Sequence, residues 1–180
     1  GQIANLWGSG AKEQGWTAPP LQPAGSEAYD RLMLAWTFVL SQPGIPLIYY
    51  GDEIGLAGAG DPDNRRMMRF GGDVSTEGQR VFAHVKKAIA ARRALDGLRG
   101  ADRTTLFVDD TAYVYTRGTG DDTVIIALNI GTASRTLDVD VPAFRTRALS
   151  EHLTGASLQA NAGRVSLSIP ARTSLVVSLR

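Results

Sequence analysis

The sequence predicts an α/β segment followed by an all-β domain with Greek-key connections, and three observations carry that expectation. An amphipathic stretch from Ser26 to Gln42 stops at Pro43-Gly44 and leads at once into a continuous apolar run, Pro46 to Tyr50. Helix, tight turn, buried strand is an αβ unit of a parallel sheet. A second amphipathic stretch follows a glycine-rich loop, and from about Asp102 the texture changes to short alternating runs at turn-like spacing, the pattern of an antiparallel sandwich. The expected division is 1–100 and 101–180.

Gly1 to Gly25 is rich in Gly, Pro, Gln and Trp without a sustained period and reads as an irregular segment. Trp7 and Trp16 stand out there, since an indole face can stack on a sugar ring, although filling a core is the commoner use of Trp. Gly1 in place of Met is expected of a fragment or a processed product.

Ser26 sits where a helix cap belongs, with Glu27 in the first turn. Tyr29, Leu32, Met33, Trp36, Thr37 and Leu40 then fall at the three-and-four spacing of one buried face. Pro46 to Tyr50 shows no alternation, so it is expected to be buried on both faces, with Tyr49 and Tyr50 in the core. Gly51, Gly55, Gly58 and Gly60 follow, interleaved with Asp52, Glu53, Asp61, Asp63, Arg65 and Arg66. The loop leaving the carboxyl end of such a strand is where binding chemistry sits in α/β proteins.

Thr76 and Gln79 suggest a capping box for the second helix. Its apolar face is Val81, Phe82, Val85, Ala88, Ile89 and Leu95, its wet face Lys86, Lys87, Arg92 and Arg93, and Gly97 its terminator. The strands of the β domain are expected at 104–108, 112–117, 123–130, 135–141, 145–149, 164–169 and 174–179. Val165, Leu167 and Ile169 alternate with serines that face outward.

Composition excludes several classes of function. With 43% hydrophobic and 21% charged residues in a chain of 180, disorder is not expected. The net charge is +1 and the basic residues are scattered, which gives no support to a nucleic-acid partner. Cysteine is absent, so disulfides and thiolate metal sites are excluded while the compartment stays open. His84 and His152 are the only histidines, too few for a zinc site or a histidine-based triad. No apolar run is long enough to span a bilayer, and no signal-peptide pattern opens the sequence.

The run PGIPLIYYGDEIGLAGAGDPDNRR resembles the last barrel strand and following loop of the α-amylase family of glycoside hydrolases. AYVYTR, TVIIALN and IPARTSLVVSL are similar to strands of its domain C. The resemblance covers nearly the whole chain and implies the carboxyl-terminal portion of a TIM (β/α)8 barrel, meaning its seventh helix, eighth strand and eighth helix, followed by the domain C sandwich. It also implies a parent enzyme acting on α-1,4-glucans such as starch, maltooligosaccharides or cyclodextrins by a retaining mechanism.

Such chemistry needs two carboxyl groups flanking the scissile bond. Asp52 and Glu53 are adjacent and on an extended segment point to opposite sides, while Asp61 and Asp63 lie in a turn-rich segment where they shape backbone. Neither is a catalytic couple. In the family the three catalytic carboxylates lie on barrel strands four, five and seven, and no Asn-His-Asp motif is present here, so the resemblance implies that the chain holds no catalytic residue and is inactive alone. What remains is substrate contact: in related transferases the Asp and Arg of a D-P-x-N-R loop bind glucose units away from the cleaved bond, and Asp61 and Arg65 match those positions. An intraloop ion pair that holds the loop shape is the other reading of the same two residues. The resemblance implies no cofactor and no metal ligands in this chain, the family's metal sites being built largely from parts that do not match here; calcium is a matter for the parent. A non-catalytic carbohydrate-binding module is the alternative, and a complete small α+β enzyme around Asp52, Glu53, Asp61 and Arg65 lacks the paired carboxylates it needs. One barrel strand without neighbours is expected to require the missing barrel part or self-association.

Overall fold

The computed structural model describes residues 17–100 and 102–180. Trp7 and Trp16 lie outside the described residues. The chain separates into two compact units, one made of Leu47–Val85 with the residues up to Ala35, the other of Trp36–Pro46 with Lys86–Arg180. Two helices cross that division, α1 (Glu27–Leu40) and α2 (Thr76–Ala94).

In the first unit the Ser26 carbonyl accepts the Asp30 N–H, so Ser26 opens α1 as its sequence position suggests. Tyr29 and Leu32 are buried on its inner face. Helix α2 is capped one residue earlier than the Thr76–Gln79 box implies: the Ser75 hydroxyl accepts the Gly78 N–H at 3.1 Å, and Gln79 reaches back to the Val74 carbonyl instead. Val81 and Val85 are buried, whereas Phe82, expected on the same face, is exposed.

The run Pro46–Tyr50 corrects the expectation of a buried parallel strand. It forms no strand and pairs with none among the described residues, and Leu47 is 83% exposed. Tyr49 and Tyr50 are likewise half exposed instead of core, their rings 4.8 Å apart. A strand is buried by its neighbours, and none of the described residues supplies a second parallel strand.

Among the described residues the second unit holds eight strands, all paired antiparallel: β1 (Arg103–Val108), β2 (Ala112–Arg117), β3 (Val124–Asn129), β4 (Arg135–Asp140), β5 (Ala148–Glu151), β6 (Ser157–Gln159), β7 (Arg164–Ile169) and β8 (Thr173–Leu179). Six form one sheet in the order β1-β2-β3-β8-β5-β6, and β4 with β7 forms a second. The pairing is nested: β5 with β6, β4 with β7, β3 with β8, as in a long hairpin rolled over on itself. Val114, Ile125, Ala127 and Val177 from the large sheet meet Val139, Val165 and Leu167 from the small one in a single core, closed by Phe144. Alternation in β7 follows the expected pattern, with Ser166 and Ser168 exposed.

Strand β3 is buried along its whole length because the large sheet has a second covered face. Within this unit the end of α1 lies on it: Thr37 Oγ1 and Ser174 Oγ share a hydrogen bond of 2.8 Å, and Ser41 Oγ meets the Tyr115 hydroxyl at 2.5 Å. Arg92, expected on the wet face of α2, is turned inward. Its guanidinium donates to the carbonyl of Leu40, one of those an α-helix leaves unpaired at its carboxyl end, and to the carbonyls of Gln42 and Gly44 in the turn that follows. Helix α2 itself ends at Ala94, ahead of Gly97, which sits in the 3-10 turn Asp96–Leu98.

Candidate functional site

The loop from Gly51 to Phe70 belongs to the first unit and brings the charged residues of the sequence motif together. Gly51 and Gly55 have φ of 88° and 64°, the left-handed region that glycine enters without steric cost, and they bracket the 3-10 turn Asp52–Ile54. Asp52 and Glu53 are therefore not on extended backbone. Three residues per turn still sets successive side chains about 120° apart, so they do not face each other across a substrate.

A second 3-10 turn, Asp63–Arg65, carries the motif residues. Here the structure sorts two interleaved ion pairs. Asp61 and Arg65 meet at 3.0 Å with side chains 64% and 68% exposed. Asp63 and Arg66 meet in a two-pronged contact, Arg66 Nε to Oδ1 at 2.8 Å and Nη2 to Oδ2 at 2.6 Å, with side chains only 14% and 25% exposed. The Arg66 guanidinium holds the Asp63 carboxyl below the usual carboxylate range, helped by the Ala59 N–H that donates to Oδ2 at 2.7 Å. Arg66 continues to the Pro20 carbonyl at 2.9 Å.

Gln22 fastens the other side of the loop. Its amide donates to the Gly55 carbonyl and the Tyr29 hydroxyl, and its carbonyl accepts the Ala57 N–H at 3.0 Å. Ala57 and Ala59 are buried, so their backbone groups need these partners. Sequence reasoning overlooked Gln22, which lies 33 residues from Gly55 and carries no local signal. The Asp63–Arg66 contact was open to detection, since an acid and a base three residues apart in a helical turn are neighbours.

Beside the turn is an open groove of about 550 Å³ lined by Leu56, Arg66, Met67, Met68, Arg69 and Asp73. Arg65 lies close enough to Tyr50 for its charge to oppose the upward shift that burial gives the phenol. Chemically the loop surface offers a carboxylate that accepts from hydroxyls and a guanidinium that donates to them. Among the described residues no three His, Asp or Glu side chains gather as a metal-binding group, and no helix is long and apolar enough to cross a membrane.

Comparison with known proteins bears on both units. Residues 102–177 match the family described as alpha-amylase C-terminal domain. A cyclomaltodextrinase of Geobacillus thermopakistaniensis is 34% identical over 142 residues, covering 78% of this chain and 24% of that protein. Neopullulanase 2 of Thermoactinomyces vulgaris is 33% identical over 147 residues, covering 81% of this chain and again 24% of the relative. Among solved structures, an α-amylase from Geobacillus thermoleovorans complexed with acarbose superposes with a TM-score of 0.73 at 31% identity, covering 84% of this chain and 33% of that one. The chain thus spans about a quarter of the length of these two curated relatives.

Proposed function

Because residues 102–177 are a C-terminal domain of the α-amylase family, we propose that this chain is the carboxyl-terminal part of an enzyme that cleaves or transfers α-1,4-linked glucans, and that Asp61 and Arg65 hold the glucan. The relatives are named for action on cyclomaltodextrin and pullulan, and the α-amylase is complexed with acarbose. Residues 46–94 correspond in this reading to the eighth barrel strand, its loop and the eighth helix, and the catalytic carboxylates belong to strands outside this chain. The unpaired, exposed run Ile45–Tyr50 supports the reading, since a barrel strand detached from its neighbours presents such a surface.

The observation that carries the assignment of Asp61 and Arg65 is the sorting of the two ion pairs. Loop shape is already secured by Asp63 and Arg66, so Asp61 and Arg65 are not needed for it. Their own contact is solvent-exposed, and such a pair contributes only about 0–1 kcal/mol. Exchanging it for hydrogen bonds to sugar hydroxyls therefore costs little. Contact at a distance from the cleaved bond binds ground state and transition state alike, which moves KM more than kcat.

The test is kinetic, on the full-length protein that carries this sequence, with maltoheptaose as substrate. Asp61→Ala and Arg65→Ala should each raise KM about tenfold, a loss of about 1.4 kcal/mol, with kcat little changed and the product lengths shifted. Unchanged KM and products in both variants would remove the sugar contact. The 180-residue chain alone should release no reducing sugar from starch or cyclodextrin, and measurable release would overturn the assignment of catalysis to strands outside it.

A further inference from the structure

We propose that Asp63 and Arg66 are positioning residues: without touching the glucan, their half-buried contact fixes the 3-10 turn on which Asp61 and Arg65 are presented, and so sets the affinity of that subsite. The proposal rests on the sugar contact assigned to Asp61 and Arg65 above.

The four residues alternate along one short stretch, and the turn is gripped from inside it. Asp63 is its first residue, Arg65 its last, Arg66 the residue that follows, and Asp61 precedes it by one proline. Both Asp63 oxygens are occupied, by the Ala59 N–H and by two parallel guanidinium bonds, so this carboxylate has little capacity left for a ligand. Arg66 is likewise committed, to Asp63 and to the Pro20 carbonyl. The pair therefore links three backbone segments, at Pro20, Ala59 and Asp63, in one unit. A two-pronged guanidinium–carboxylate contact constrains direction as well as distance, which a single point charge does not.

A residue that acts through another leaves a signature in a double-mutant cycle. If Asp63 serves only to aim Asp61 and Arg65, its loss matters nothing once the aimed groups are gone. The experiment compares KM for maltoheptaose in the full-length protein for Asp63→Asn, for the pair Asp61→Ala with Arg65→Ala, and for all three substitutions together. Asp63→Asn keeps the shape of the side chain and should raise KM about fivefold with kcat unchanged; the triple variant should be no worse than the variant lacking both Asp61 and Arg65. Arg66→Lys keeps the charge but loses the fork, and should reproduce the Asp63→Asn effect.

An unaltered KM in both Asp63→Asn and Arg66→Lys would overturn the proposal. So would a triple variant whose loss is the product of the Asp63→Asn loss and that of removing Asp61 and Arg65, or a parallel fall in kcat that marks general loosening of the loop. If instead Asp61→Ala and Arg65→Ala have no effect while Asp63→Asn does, the sugar contact itself is refuted, and the positioning role with it.

Discussion

Asp109 closes the turn between β1 and β2 and ties it to β4. One carboxylate oxygen accepts the N–H groups of Thr111 and Ala112, each at 2.8 Å, and the other accepts Arg135 at 2.8 Å. Arg135, which also lies 5.8 Å over the Phe107 ring, is the main reason the carboxyl stays ionised well below its ordinary range. A depressed pKa in the folded state stabilises fully above the unfolded value, about 3.9, and the contribution is lost as pH falls below it toward the folded value. Thermal unfolding of the chain should therefore show Asp109→Asn melting below the parent at neutral pH, with the two curves converging as the pH drops below about 4. A constant gap at every pH would exclude the carboxylate as the cause. Asp109 shows its role in sequence, because an aspartate three residues before a strand is a turn former. Arg117 does not. It ends β2 and reads as a solvated charge, yet it is fully buried, donating to the carbonyls of Ser41, Gly100 and Asp102. Those partners come from 15 to 76 residues away, and no local pattern announces them. The same limit applies at the loop: the motif names Asp61, Asp63, Arg65 and Arg66, but which acid is the less exposed depends on Pro20 and Ala59.

Elements were legible wherever an apolar run, alternating or continuous, is long enough to show, and obscured where an element is short and made by its pairing partner. Helix α1, helix α2 and seven of the strands fall within a few residues of their expected limits, because that pattern survives in the side chains. Strand β6 was missed: Ser157–Gln159 is three residues long and exists only by pairing with β5, which itself begins at Ala148, after Phe144 is drawn into the core by the 3-10 turn Pro142–Phe144. Gly97 shows a different kind of misreading. As a helix terminator it would tolerate replacement, since Ala94 already ends α2. In the structure it is buried where the 3-10 turn after α2 crosses the turn between β2 and β3, and a Cβ there would overlap the Asp122 carbonyl oxygen. Backbone is the obstacle, so no side chain can swing aside. Gly97→Ala should destabilise the second unit by at least the cost of ordinary overpacking, about 1–3 kcal/mol, read from the urea midpoint. A midpoint equal to the parent's would show that the crossing can open.

The largest departure from expectation belongs to no single residue or element. Ile45 is wholly exposed and Leu47 nearly so, although their run has the composition of a strand buried on both faces. Composition records the environment in which a segment is buried, and that environment requires strands the described residues do not contain. A run with exposed apolar side chains and no strand partner is a template for another chain. The isolated 180-residue chain should therefore self-associate, and its sedimentation coefficient should rise with concentration. Leu47→Lys places a charge on the run, a substitution that blocks edge pairing without touching the core of the second unit, and should return the chain to a monomer. A parent chain that stays monomeric throughout the concentration range would show that the run is covered from within. An assembly unaffected by Leu47→Lys would place the contact on another surface, leaving the detached-strand reading of residues 46–50 without its physical consequence.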